Sequence, residues 1–367
     1  MRLLHTADWH LGKTLKGQSL LDDQRYILEE IFRIANEEDV DAVLVAGDIY
    51  DRGVPPVEAV ELLNETLITF AERSIPMFII SGNHDSQTRL NFGSQFFSRR
   101  KIFIAGKISE EPRNIVLEDK FGEVYFSLIP FFEPGEVQSR FLQMKLGRMT
   151  YNEANEYYLD LMRLRIPRGK RSVVMAHVFL TGGEQSDSER KIIGTLANVE
   201  LNIFEGYNYV ALGHLHRPQK FYSGSPLKYS FDEANHRKSV TIVEIDAEGS
   251  VQTKRVDLRP CRDVRIVEGT VDELRNYLRT EDYVFARLTK RELNAREKLA
   301  RTFPNLLGVE FDLPKDFSDY VAERKFNASI STLDYFAEFF KAQTGEDLSL
   351  DYREAMSDFL TEISKEE

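Results

Sequence analysis

Residues 76–85 read PMFIISGNHD. Met77, Phe78, Ile79 and Ile80 make a short apolar run of the kind that forms a buried strand. The run stops at Ser81 and Gly82, and Asn83, His84 and Asp85 follow side by side. Gly, Asn and Asp are ordinary turn residues, so the stretch taken alone reads as a strand closed by a turn. The same arrangement recurs along the chain, which gives it more weight. LLHTA, AVLVAG, SVVMAH and YVALG also read as strands, and they run into Asp8 and His10, into Asp48 and Asp51, into His177, and into His214 with His216. Of the seven histidines, five (His10, His84, His177, His214, His216) stand at such strand ends. Chance placement does not cluster them so.

Between the early strands, QRYILEEIFRIANEE and VEAVELLNETLITFAE carry apolar residues at helical spacing, and VYFSLI and SVTIVEI add further strands. Alternation of this kind predicts a layered α/β domain. Parallel strands deliver their C-terminal ends to one edge, where such folds bind ligands, so residues distant in sequence converge there. Gly47, Gly82 and Gly213 each precede a candidate ligand. Lacking Cβ, they permit sharp turns and close approach.

Past residue 258, DVRIVEG, DYVFARL and LGVEFDL read as three strands separated by the helix candidates VDELRNYL and ELNAREKLARTF, a small separate α/β unit. From Ser329 the pattern is helical. Ser331 and Asp334 match a capping box, with Leu333, Phe336, Ala337 and Phe340 on one face. A second helix after Gly345 places Tyr352, Ala355, Met356, Phe359, Leu360 and Ile363 together. These two helices either close on each other and the domain or receive another chain; the sequence leaves both open. The expected division is 1–258, 259–328 and 329–367.

The chain has 367 residues and a formal charge of −12, which at first sight disfavours a polyanionic partner. The charge is uneven, however: residues 344–367 hold Glu346, Asp347, Asp351, Glu354, Asp358, Glu362, Glu366 and Glu367 against Arg353 and Lys365. RLRIPRGKR (163–171) and SRRK (98–101) are basic runs, each readable as a solvated face or a nucleic-acid contact. One cysteine, Cys261, excludes an intrachain disulfide and fits a reducing compartment. MRLLHTADWH has too short an apolar run for a signal peptide, and no stretch reaches the roughly 18 apolar residues of a membrane span, so the expected location is the cytoplasm.

Carboxylates, imidazoles and an amide oxygen without a thiolate suit manganese, iron or zinc in open sites better than a structural zinc. There are more candidates than one ion uses. Two ions roughly 3.5–4 Å apart, sharing a carboxylate, form the clamp used for displacement at phosphorus, which makes phosphoester hydrolysis the indicated chemistry.

The series DWH, GDIYD, GNHD, AH and GHLH resembles the calcineurin-type metallophosphoesterases. HTADWHLGK, GDIYDRGVPP, GNHDS and YSGSPLKYSF resemble more closely the bacterial SbcD nuclease family within them. The resemblance implies a metallophosphoesterase β-sandwich flanked by helices, a small α/β capping domain that meets DNA, and a C-terminal helical hairpin that grips a partner. It implies Asp8, His10 and His216 on one manganese ion, Asn83, His177 and His214 on a second, and Asp48 bridging them. His84 would act at the leaving group. Asp85 is read as the carboxylate that orients the His84 ring. Relatives carry a histidine where this chain has Asp51, so that histidine's role does not transfer; Asp51 is read as holding a loop or a neighbouring imidazole. Trp9, His5 and His236 are read as structural.

The implied activity is manganese-dependent double-strand 3′–5′ exonuclease and single-strand endonuclease cleavage of DNA ends and hairpins. It would be carried out by a homodimer working with an SbcC-like coiled-coil ATPase. A phosphatase or phosphodiesterase for proteins or nucleotides is the nearest alternative, but protein phosphatases of the superfamily end the third motif in Glu where this chain has Asp85. A silent scaffold would have lost ligands, and here every motif position is filled.

Overall fold

The computed structural model describes residues 1–142, 149–184, 186, 188–189, 198–311, 331–344 and 347–363. The strands that build its core are β1 (Arg2–Thr6), β2 (Ala42–Ala46), β3 (Met77–Ile80), β4 (Ile102–Ala105), β5 (Ile115–Asp119), β6 (Gly122–Ile129), β7 (Arg171–His177), β8 (Tyr209–Gly213), β9 (Ser239–Ile245) and β10 (Val251–Asp257). They form two sheets, one ordered β10-β9-β1-β2-β3-β4 and the other β8-β7-β6-β5. In the first, β1 to β4 are parallel while β9 and β10 are antiparallel; in the second, β6, β7 and β8 are parallel and β5 is antiparallel.

The continuous apolar runs have a simple cause: both faces of these strands are buried. Phe78 and Ile80 of β3 point between the sheets with Leu3, Leu44, Phe126 and Met175, and Phe78 stacks on Phe126 with ring centroids 4.2 Å apart. Met77 and Ile79 point the other way, into the layer formed by α1 (Leu21–Glu37) and α2 (Val57–Glu72), where Ile27, Ile31, Leu62 and Phe70 cover them. On the far side α3 (Tyr151–Arg163) lays Tyr158, Leu159 and Met162 over Val174, Ala176 and Leu212. The result is a helix–sheet–sheet–helix sandwich, the layered α/β class expected.

A third sheet, all parallel, comprises β11 (Val264–Gly269), β12 (Tyr283–Leu288) and β13 (Leu306–Phe311). It has its own core of Val271, Leu274, Val284, Ala286, Leu299 and Phe303. Its helices are shorter than the sequence suggests, spanning Val271–Arg275 and Ala295–Leu299. Asn276 turns its side chain back to the Asp272 carbonyl at the end of the first, and Asn294, at φ 55°, blocks an earlier start for the second. Asp23 of α1 binds this sheet to the sandwich, accepting two hydrogen bonds from Arg262 at 2.8 Å and one from Tyr283 at 2.7 Å.

Residues 1–311 form one compact unit and 312–367 a second. In the second, α4 (Thr332–Thr344) begins as the sequence predicts: Ser331 Oγ accepts from the Asp334 N–H at 3.1 Å and donates to its carboxylate at 2.6 Å. Arg353 of α5 (Leu350–Ile363) pairs with Asp334, so the two helices do touch. Tyr352 and Phe359 nevertheless remain 67% and 55% exposed. The Phe339 and Ile363 side chains, residues 312–330 and the acids beyond Ile363 lie outside the described residues. No helix among the described residues is long and apolar enough to cross a membrane.

Candidate metal centre

Asp8 and His10 follow β1, Asp48 follows β2, Asn83 and His84 follow β3, His177 closes β7, and His214 and His216 follow β8. The contributing strands belong to two sheets, and the site sits where their C-terminal ends meet across the sandwich. Four of these residues have positive φ: Asp8 (55°), His10 (45°), Asp48 (49°) and His214 (110°). Such backbone costs about 1–3 kcal/mol per residue and persists only where surroundings enforce it. Here the Asp8 N–H donates to Gly47 O at 3.0 Å and the His10 N–H to Asp48 O at 2.9 Å. The glycines are required by proximity: a Cβ on Gly82 would lie 2.1 Å from Asp48 Oδ1, and one on Gly213 1.7 Å from Ala46 O.

The donor atoms converge. His10 Nε2 lies 3.0 Å from His216 Nε2, and Asp8, His10 and His216 form one compact donor group. Asp48 Oδ2 lies 3.4 Å from His177 Nε2 and 3.6 Å from His10 Nε2. Asn83 Oδ1 lies 3.0 Å from His177 Nε2 and 3.1 Å from His214 Nδ1. Asp48 thus stands between the Asp8 side and the Asn83 side. His84 Nε2 is 4.0 Å from Asp48 Oδ2.

The ring nitrogens are prepared for ligation. His177 gives its Nδ1–H to Ala46 O at 2.9 Å, leaving Nε2 turned toward Asp48. Burial drives His10 well below the usual imidazole range, His216 below it, and His214 to about 3, so all three are neutral. Burial works against a charge on His177 too, but Asp48 and Asp8 beside it raise it to about 9. A cation must displace that proton. Burial, joined by the Asp48 charge, raises Asp8 well above the carboxylate range. Among the described residues, Asp8 Oδ2 and His84 Nε2 at the site are buried without a hydrogen-bond partner. Buried polar atoms are rarely left so, and two acids with several neutral imidazoles are the donors that divalent cations take. The residues fit a metal.

Asp85 requires a correction. Its carboxylate accepts the backbone N–H groups of Ile49 (3.0 Å), Tyr50 (2.9 Å) and Gly82 (2.9 Å), and so pins the Asp48 loop to the Asn83 loop. The His84 ring is oriented instead by the Asp51 carbonyl, which accepts its Nδ1–H at 2.8 Å. The Asp51 side chain pairs with Lys13 at 2.8 Å. His5 is satisfied inside the core by the Tyr209 hydroxyl (2.9 Å) and Leu212 O (3.2 Å), and Trp9 is fully buried with its N–H on Thr6 Oγ1. The run 163–171 is not one face: Arg171 is buried against Asp119, and Arg163 is tied to Asp160 and Ile203 O.

The sequence reading missed the supports of the site. Gln24 of α1 donates to Trp9 O (3.2 Å) and His10 O (2.7 Å), the Tyr229 hydroxyl donates to Trp9 O, and Glu233, Ser188 and Lys238 surround His216. Tyr229 lies within the quoted motif YSGSPLKYSF, but Gln24, Glu233 and Lys238 carried no signal beyond polarity at positions that turn out to be buried, which a single sequence does not mark.

Residues 1–218 match the calcineurin-like phosphoesterase family. The SbcD subunit of nuclease SbcCD from Staphylococcus epidermidis is 34% identical over 366 residues, covering 95% of this chain and 95% of that protein. The protein of the same name from Staphylococcus saprophyticus is 32% identical over 383 aligned positions, covering 100% and 99%. Among solved structures, a calcineurin-like phosphoesterase from Bacillus subtilis covers 70% of this chain and 90% of its own at 14% identity and a TM-score of 0.38, too loose a likeness to bear on function. Every residue from Asp8 to His216 lies inside the family match, and the likeness to the two staphylococcal proteins continues to the C-terminal helices. This chain belongs to the calcineurin-like phosphoesterase family and, within it, groups with the SbcD subunits of SbcCD nucleases.

Proposed function

We propose that this chain is a DNA nuclease, the hydrolytic subunit of an SbcCD-type complex. The observation that carries the reading is the meeting of seven donors from two sheets in a chain that aligns over its whole length with relatives named as the SbcD subunit of nuclease SbcCD. Asp8, His10 and His216 would hold one manganese ion, Asn83, His177 and His214 a second, with Asp48 shared. Bound divalent cations supply Lewis acidity to the phosphoryl oxygens. The chain's own task is placement and proton traffic. Asp51 O accepts the Nδ1–H of His84 and so fixes the ring, and the doubly protonated ring would give its Nε2 proton to the departing sugar oxygen and keep the one on Nδ1.

The chain is read as acting in the cytoplasm, with residues 1–258 as the nuclease domain and 259–328 as a cap that contacts DNA. A cleft of about 610 Å³ between the site and the third sheet, lined by Lys13, Lys16, Phe231, Phe285 and Arg287 among others, supports the cap's role. Residues 329–367 would bind the coiled coil of an SbcC-like ATPase. A homodimer is supported by the exposure of the large apolar side chains Phe92 and Phe96, 83% and 73%. The substrates are DNA ends and hairpins.

The test is incubation of end-labelled duplex DNA with purified protein. Cleavage should require manganese, stop with EDTA, return on manganese addition and vanish in Asp48→Asn. Activity that survives both chelation and that substitution overturns the metal reading.

A further inference from the structure

His216 is held at both its backbone and its ring. Its backbone N–H donates to Glu189 Oε1 at 2.7 Å, and its carbonyl accepts from Lys238 Nζ at 2.9 Å. Its ring Nδ1 lies 2.7 Å from Ser188 Oγ and 3.2 Å from Glu233 Oε1. Glu233 is fully buried, in the turn Asp232–Asn235, and its other oxygen meets Lys238 Nζ at 2.5 Å. Lys238, also buried, completes its set of three acceptors with Ser225 Oγ at 2.8 Å.

Proton counting gives this cluster a direction. A carboxylate paired with an ammonium has no proton to give, so the Ser188 hydroxyl, which also meets Glu233 Oε1, donates its single proton there. The lone pair of Ser188 then faces His216 Nδ1 and can only accept. Both neighbours of Nδ1 are therefore acceptors, and the ring proton is confined to Nδ1. Nε2, 3.0 Å from His10 Nε2 on the cation side, keeps its lone pair. Without the carboxylate the serine could turn either way and the tautomer would be free.

We infer that Glu233 and Lys238 are positioning residues that set the tautomer of His216 for metal ligation. Glu233 dictates the direction of the hydrogen bonds at Nδ1, and Lys238 clamps that carboxylate to the His216 backbone. The inference rests on the metal reading above, and outer carboxylates of this kind are generally worth about 10–100-fold in metal affinity.

The test reads the ring directly. In chelated full-length protein labelled with ¹⁵N-histidine, long-range nitrogen–proton NMR distinguishes the two tautomers, with His216 assigned from its loss in His216→Gln. Wild type should carry the proton on Nδ1. In Glu233→Gln, Lys238 keeps its hold on the side-chain oxygen, so the amide NH₂ faces the ring. The proton should then move to Nε2, and manganese affinity by calorimetric titration should fall roughly 10–100-fold. Adding Lys238→Met frees the amide to turn its oxygen to the ring and should restore the Nδ1 tautomer, whereas a merely structural role would leave the double variant worse than the single. A wild-type proton on Nε2, or Glu233→Gln with wild-type tautomer and affinity, overturns the inference. The tautomer is read without metal, so wild-type protein that binds no manganese sinks the metal reading alone.

Discussion

His84 is more exposed than the proposed histidine and aspartate ligands around it, although its neighbour Asn83 is partly exposed as well. Its side chain is 13% exposed, while those of His10 and His177 are at 0% and Asp48 at 2%. Partial exposure does not by itself separate a ligand from a group that meets the substrate, since Asn83 shares it and His84 Nε2 is buried. His84 also belongs to a compact group with His10 and Asp48, so geometry alone would allow it as a ligand. The two roles separate on substitution. His84→Gln should lower the cleavage rate about 10²- to 10⁴-fold, the span of a general acid, with manganese content by elemental analysis unchanged. Loss of metal together with activity would make His84 a ligand.

At the scale of elements, β8 and the end of β2 approach so closely that position 213 has no room for a side chain. The atom a Cβ would strike is Ala46 O, a backbone carbonyl that also accepts from His177 Nδ1 at 2.9 Å, and backbone cannot swing aside. Gly213→Ala must therefore part the sheets or displace His177. The expected cost is about 1–3 kcal/mol in denaturant unfolding, as for overpacking elsewhere, with weaker manganese binding in the same sample. Gly135→Ala, where nothing lies within 4 Å of the added Cβ, serves as the control and should stay within about 0.5 kcal/mol. Unchanged stability in Gly213→Ala would mean that the sheets tolerate separation and that the site does not depend on their spacing.

At the scale of the whole molecule, the chain forms two compact units. The unit 1–311 contains every proposed ligand and the sheet proposed as a cap. The unit 312–367 carries acids in excess and leaves Tyr352 and Phe359 exposed, more large apolar surface than a short solvated tail needs. A chain ending at residue 328 should keep near-normal manganese-dependent cleavage of simple duplexes. Co-purification with the SbcC-like ATPase and any ATP-stimulated activity should be lost. If the truncated chain unfolds or loses basal cleavage, the helices belong to the catalytic core.

The strands, the two long helices and the donors that follow the strands were legible because each is a local event: an apolar run with both faces buried, a 3.6-residue period, a polar group where a run stops. Asp8, His10, Asp48, Asn83, His177, His214 and His216 stood out on residue type and position together with Asp51, His84 and Asp85, and only the family resemblance separated proposed ligands from the rest. The sequence could not say that β7 and β8 belong to a different sheet from β1, β2 and β3, because pairing is decided by contacts between residues distant in the chain, such as Leu3 with Ala42 and Val173 with Tyr209, and the two sheets meet only in space, as where His177 reaches Ala46 O. Nor could it assign the polar residues behind the ligands. Asp85 looked like a partner for the adjacent His84, yet its oxygens are taken by Ile49, Tyr50 and Gly82, while Glu233 and Lys238, to which the sequence gave no role, are buried on His216. The sequence marked which groups are candidates for chemistry, because that depends on residue type; the tertiary structure decided which groups hold them, because a hydrogen bond is set by distance and direction in space and not by adjacency in the chain.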